Sequence, residues 1–146
     1  MRYREVIRMP LWLMALIYFF LLSVVLSLWV SLGNNAALVA LVIVTALMIL
    51  LRVKTALVIE VDELEVRVGS AHIELQYIDS THVLTPQEMK TIRTRDADPA
   101  AYLAIRFWNA HGVKLELNDH RDSTPYWLIT TKKSQELSKL LNSLKV

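Results

Sequence analysis

From Met9 to Leu51 the chain contains no Asp, Glu, Lys, Arg or His. A single bilayer crossing needs ~20 consecutive apolar residues, so this run is long enough for two. Gly33-Asn34-Asn35 interrupts it near the middle with turn-forming residues and divides it into two segments. The feature predicts an integral membrane protein: a transmembrane helical hairpin over residues 1–54, with helices about 11–32 and 36–53, followed by a small polar domain over 55–146.

The flanks agree with that division. Arg2, Arg4 and Arg8 precede the first segment, Pro10 suits the first turn of a helix, and Arg52 and Lys54 close the second. Trp12 and Trp29 fall near the two ends of the first segment, where amphipathic rings anchor at the interface. Basic residues lie at both outer ends and none in Ser31 to Asn35, so the positive-inside rule expects a multi-pass plasma-membrane protein with both termini cytoplasmic. The alternative is a signal peptide cut after Gly33, suggested by the small-x-small pattern Ser31-Leu32-Gly33. Its apolar core is longer than the 7 to 15 residues such signals use. Ser23, Ser27 and Thr45 can bond to their own helix backbones. With no ionisable group inside either segment, a proton or ion pathway is not expected.

Charge separates the two parts. Up to Lys54 there are five basic residues against one acid, Glu5; the remainder holds eleven basic and thirteen acidic residues, a balance of −2. A nucleic-acid-binding domain would concentrate its cations on the folded part, so nucleic acid is not an expected partner. Cysteine is absent, which removes disulfides, thiol nucleophiles and cysteine-ligated metals.

Beyond Thr55 the periodicity shifts from helical to alternating. Thr55 to Val61 is rich in β-formers, and Glu63 to Gly69 alternates with Leu64, Val66 and Val68 on one face. Ala71 to Gln76 alternates again with Ile73 and Leu75 inward, and Tyr77 to Leu84 reads as a fourth strand of an antiparallel meander. Thr85-Pro86-Gln87-Glu88 has the chemistry of a capping box and starts a short helix to about Arg95. Tyr102 to Trp108 presents Leu103, Ile105 and Phe107 on one face. Val113 to Asn118 and Tyr126 to Thr131 complete seven strands, and Leu137, Leu140, Leu141 and Leu144 define a closing amphipathic helix with Ser134 as its cap. The expected class is α+β: a membrane hairpin, then a small antiparallel β-rich domain of seven strands plus a C-terminal helix, in pleckstrin-homology-like order.

No catalytic motif is present. There is no G-x-S-x-G elbow, phosphate-binding glycine loop or H-E-x-x-H, and the four histidines lie far apart. Asp119-His120-x-Asp122 is better read as turn chemistry than as a metal site. An enzyme would require Asp98, Arg106, His111, Asp119, His120 and Asp122 to converge. No cofactor is expected. Tyr126 and Trp127, entering a strand side by side, must point to opposite faces, which predicts one in the core and the other exposed or in a groove. The candidate interaction surface is Arg106, Trp108, Asp122, Tyr126, Trp127 and Lys132. The expected partners are the lipid bilayer and a membrane or cytoplasmic protein, with homo-oligomers compatible. The function read from this is an interaction or scaffold module at the inner leaflet, with anionic head-group binding as the alternative and an enzyme third.

Three stretches carry a resemblance: the basic, Tyr3-containing N-terminus before a Pro/Trp-marked helix; Ala97-Asp98-Pro99-x-Ala101-Tyr102-Leu103; and Asp122-x-Thr124-Pro125-Tyr126-Trp127-Leu128-x-Thr130-Thr131 before a terminal helix. In these the chain resembles small actinobacterial membrane proteins grouped as domain-of-unknown-function family 3093. Two features depart from that pattern: Phe107 stands where Pro is common, and Asp119-His120 where a second Asp-Pro pair is usual. The resemblance implies a membrane-anchored protein of unassigned activity and supplies no catalytic residues.

Overall fold

Both charge-free segments are helical in the computed structural model, which describes residues 1–145. Helix α1 spans Leu11–Leu32 and α2 spans Asn34–Lys54. At 1.5 Å per residue each rises ~32 Å, about the thickness of a bilayer's hydrocarbon layer. Gly33 alone joins them, at φ 87°, a left-handed conformation that a side chain would strain. Asn34 and Asn35, expected in the joint, belong to α2. The Trp29 indole N–H donates to Asn34 Oδ1 at 2.6 Å across this corner. Ser23 and Ser27 bond to carbonyls one turn back, as expected, but the Thr45 hydroxyl instead meets Tyr18 Oη at 3.1 Å between the two helices. Only 6% of α1's apolar window and 11% of α2's is buried. Two helices are therefore long and apolar enough to cross a membrane, and neither is packed as the core helix of a soluble fold.

The chain divides into two units: Arg8–Ala56, which holds the hairpin, and a polar unit of Met1–Ile7 with Leu57 onward. That second boundary carries the main correction to the sequence reading. Tyr3–Ile7 is not merely a basic flank. It is a strand, β1, paired antiparallel with β2 (Leu57–Val61) from Tyr3↔Val61 to Ile7↔Leu57. β3 (Glu65–Val68) and β4 (Ala71–Glu74) complete a first sheet in the order β1-β2-β3-β4. The register places Tyr3, Glu5 and Ile7 on the same face as Ile59, Val61, Val66, Val68 and Ile73. Arg4, Glu60 and Arg67 occupy the other face, with an Arg4–Glu60 ion pair at 3.3 Å.

A 3-10 turn, Leu75–Tyr77, leads into β5 (Ile78–Leu84), which begins the second sheet and so is not the fourth strand of a meander. Helix α3 (Pro86–Thr94) follows behind the capping box read from the sequence: Glu88 N–H donates to Thr85 Oγ1, and the Glu88 carboxylate accepts from Thr85 N–H. β6 (Tyr102–Ala104), β7 (Gly112–Leu117) and β8 (Tyr126–Thr130) complete the sheet in the order β5-β7-β8-β6, with β6 parallel to β8. Counting β1, there are eight strands among the described residues, and the polar unit is antiparallel-rich α+β.

The main core draws Ile7, Leu57, Ile59, Val66 and Val68 from the first sheet and Val113, Leu115, Trp127 and Ile129 from the second. Helix α4 (Ser134–Leu144) closes it with Leu137 and Leu141, which are 0% and 2% exposed. The cap of α4 is Lys133, whose backbone N–H is taken by Thr131 Oγ1; Ser134 lies inside the helix. A smaller cluster on the outer face of the second sheet joins Leu84, Met89, Tyr126 and Leu128 under α3. Gly112 permits this contact, since a Cβ there would lie 2.7 Å from Met89 Cε and 2.8 Å from the Ile129 carbonyl.

Two alternations misled. Leu64, expected inward, is 79% exposed in the turn before β3. The strand expected over Tyr102 to Trp108 stops at Ala104, and it is Ala104 that is buried, while Leu103 and Phe107 are 44% and 68% exposed. β6 is an edge strand with one neighbour, so nothing extends the pairing beyond three residues.

Candidate functional site

α3 covers only one end of the second sheet's outer face. At the other end β5 and β7 place four polar side chains side by side through the pairs Ser80↔Glu116 and His82↔Lys114. The period of two along each strand puts residues i and i+2 on one face, which is why Ser80 meets His82 and Lys114 meets Glu116. The Ser80 hydroxyl donates to Glu116 Oε2 at 2.8 Å, and Lys114 Nζ donates to Glu116 Oε1 at 3.1 Å. His82 Nε2 is 3.0 Å from Ser80 Oγ and 3.7 Å from Glu116 Oε2. The Lys114 ammonium also lies 4.7 Å above the Tyr126 ring. The Ser80 hydrogen bond, then the Lys114 ammonium, hold the Glu116 carboxyl below the usual carboxylate range.

This set borders a groove of about 600 Å³ between α3 and the two strands, lined also by Val83, Thr91 and Ile92. A serine nucleophile needs its proton taken by a base that a third group orients. Here the Ser80 hydroxyl donates to Glu116 Oε2, while in the Ser80–His82 contact the donor and acceptor roles follow the histidine tautomer. The arrangement suits recognition: an exposed imidazole and an ammonium–carboxylate pair beside an apolar wall. The sequence reading missed these four residues. Their only signal was paired polar residues at i, i+2 in two strands, which is the ordinary pattern of a solvated face.

The structure separates the residues singled out from the sequence. Tyr126 and Trp127 do point to opposite faces, but both are buried, at 9% and 5% exposed. α3 turns the outer face into a second core, so neither is a surface anchor. Trp127 packs on the Tyr102 ring at 4.9 Å between centroids, and Tyr126 Oη accepts from Asp98 N–H at 3.2 Å. Asp122 caps its own turn, accepting from Thr124 N–H and Oγ1, on the β7–β8 connection. Asp119 pairs with Arg121 on the same connection, so the six residues an enzyme would need are spread over separate turns. Among the described residues no three His, Asp or Glu side chains are placed to hold a metal ion.

Arg106, Trp108 and Lys132 share one end of β8. Arg106 N–H donates to Thr130 Oγ1 at 3.0 Å, and Lys132 N–H donates to Glu5 Oε1 at 2.9 Å. Glu5, the inward carboxylate of β1, also accepts from Tyr3 Oη at 2.8 Å and from the Thr131 hydroxyl. It thereby ties the first strand to the end of the last. Burial, then the hydrogen bond to Glu5, push the Tyr3 phenol well above its ordinary value. Of the residues expected to flank a membrane, Arg2 pairs with Glu63 at 2.9 Å and Arg4 with Glu60, both within the polar unit. Arg8, Trp12, Trp29, Arg52 and Lys54 lie in or beside the hairpin.

Compared with known protein families, residues 2–141 match the one described as "Protein of unknown function (DUF3093)". No curated protein and no solved structure matches the chain.

Proposed function

We propose, for a chain that belongs to the DUF3093 family, a two-span membrane anchor holding an interaction module at the cytoplasmic face. One observation carries this reading. β1 ends at Ile7 and β2 begins at Leu57, and these two residues are partners in the same sheet. Whatever Arg8–Ala56 enters, it leaves and returns at neighbouring strands ~5 Å apart. A hairpin in a bilayer that starts and finishes at one point crosses an even number of times, which two helices of this length satisfy. Arg8 before the first span, with Arg52 and Lys54 after the second, then favours the cytoplasm for that side.

The partner is a protein, bound at the groove beside α3, where His82, Lys114 and Glu116 supply polar contacts and Val83 and Ile92 an apolar wall. Anionic head-group recognition is the weaker reading, because Arg2 and Arg4 are engaged with Glu63 and Glu60. We infer no catalytic role. Pleckstrin-homology-like architecture stays part of the proposal through element order alone; the parallel β6–β8 pair departs from a simple meander.

A photocrosslinking residue at Thr91, exposed on α3 along the groove, tests it in native membranes. The expected result is a discrete heavier adduct that is lost in Lys114→Glu and not formed from Leu64, in the turn before β3. Adducts only with lipid, or equal labelling from both positions, would contradict it.

A further inference from the structure

β5 is an open edge of the second sheet, bonded to β7 on one side only. Thr131 N–H donates to the His111 carbonyl at 3.1 Å and Leu117 N–H to the Pro125 carbonyl at 3.1 Å, so the odd-numbered residues of β7 bond toward β8. Along a strand the bonding direction alternates, which turns Gly112, Lys114 and Glu116 toward β5, against Leu84, His82 and Ser80. Thr81 and Val83 therefore aim their N–H and C=O groups away from the sheet, and no other hydrogen bond reaches them among the described residues. The open run ends at Thr85, whose N–H goes to the Glu88 carboxylate and whose carbonyl accepts from Met89 N–H.

Sheet edges are ordinarily blunted by brevity, by Lys or Pro, or by a bulge. β4 and β6 have four and three residues, and β1 carries Arg4. β5 has seven residues with no Lys, Arg or Pro, and its bulge, at Asp79, comes before the open pair. Two donors and two acceptors at alternate residues fit one kind of occupant, a chain in extended conformation. Charge decides whose chain it is. Asp79, at one end of the edge, and Asp96, lining the groove at the other, have carboxylates without a partner among the described residues. Two copies of β5 paired antiparallel about His82 would set each Asp79 toward the Glu88 and Asp96 end of the other, acid against acid. A foreign segment flanked by Lys or Arg meets a counter-ion at both ends.

We infer that the partner binds by strand addition: an extended segment of a second protein pairs its backbone with Thr81 and Val83, with Lys or Arg at its ends facing Asp79 and Asp96. This rests on the groove reading and states how the occupant is held. His82 bonds to β7, so the segment's residue opposite it stands in the closer, non-hydrogen-bonded kind of pair, with Cα atoms ~4.5 Å apart. That residue's side chain lies on the outer face, beside the exposed His82 ring and the Lys114–Glu116 pair. The backbone bonds supply affinity, and the alternate side chains that enter the groove supply selectivity.

Proline at an outward-facing position deletes the open N–H without breaking a ladder bond. Val83→Pro is compared with Val83→Thr, which keeps that N–H, in the full chain carrying the Thr91 photocrosslinker in native membranes. Strand addition predicts that the adduct is lost in Val83→Pro and kept in Val83→Thr, with both variants melting as the parent does. An undiminished adduct from a folded Val83→Pro would overturn it. Should Val83→Pro not fold, hydrogen exchange on the parent chain decides: slower exchange of the Thr81 and Val83 amides in the purified adduct than in the free chain is expected, and equal exchange overturns the proposal. An adduct of twice the chain's mass would also overturn it, by making the occupant a second copy. Absence of any adduct from the parent would instead sink the groove reading, and strand addition with it.

Discussion

Glu5 shows how much can depend on one side chain. It projects from β1 toward the core and satisfies the Tyr3 hydroxyl, the Thr131 hydroxyl and the Lys132 amide, joining strands that are 126 residues apart in sequence. Glu5→Ala leaves those donors without their acceptor, and the expected loss is ~1–3 kcal/mol, read from thermal unfolding of the full chain in detergent by near-ultraviolet circular dichroism. The Tyr3 phenol, its value raised in the folded chain, gives this corner a pH signature. The unfolded phenol ionises near 10, so the stability tied to its neutral form is complete below that pH and is lost as pH rises toward the higher folded value. Tyr3→Phe should flatten the alkaline fall in melting temperature, and an unchanged alkaline slope would refute the assignment. Trp127→Ala, by contrast, should cost ~3–5 kcal/mol at any pH, as removal of a core indole does. Residue-level burial was only half legible in advance. Opposite facing of Tyr126 and Trp127 follows from strand geometry, but whether the second face is covered depends on α3, whose docking no local pattern encodes. Leu64 and Phe107 failed for the reverse reason: alternation continues past the last ladder bond, and side chains in a turn no longer follow it.

At the scale of elements, the capping box, both hairpin helices and the C-terminal leucine stripe were legible because each rests on local chemistry over one or two turns. Thr85→Ala should cost about 1 kcal/mol, since it removes an N-cap acceptor. β1 was not legible. Its five residues mix Arg4 and Glu5 with Val6 and Ile7, and its identity as a strand comes from β2, fifty residues later. The consequence is a prediction about dissection. A fragment starting at Leu57 lacks Ile7, which is 0% exposed in the core, and leaves the long edge of β2 unpaired, so it should aggregate. Joining Ile7 to Leu57 through an Asn-Gly turn in place of Arg8–Ala56 restores the pair as a two-residue hairpin and should give a soluble, cooperatively melting unit. Equal folding of both fragments, judged by gel filtration and melting, would show that β1 is dispensable. The candidate groove was illegible for a related reason: Ser80 and Glu116 meet only through the β5–β7 register.

For the whole molecule, the apolar two-helix hairpin is an insertion between two paired strands of one sheet. That arrangement brings the two ends of the hairpin to neighbouring strands of the polar unit, and it makes removal of α1 costly, since cleavage after Gly33 would take β1 with it. Substituted-cysteine labelling of the cysteine-free chain in intact cells measures this directly. With a membrane-impermeant maleimide, Asn35→Cys at the helix–helix corner should react from outside, while Arg8→Cys and Leu64→Cys should react only after the membrane is opened. Reaction of Arg8→Cys and Leu64→Cys from opposite sides, or of Leu64→Cys from outside, would contradict the account.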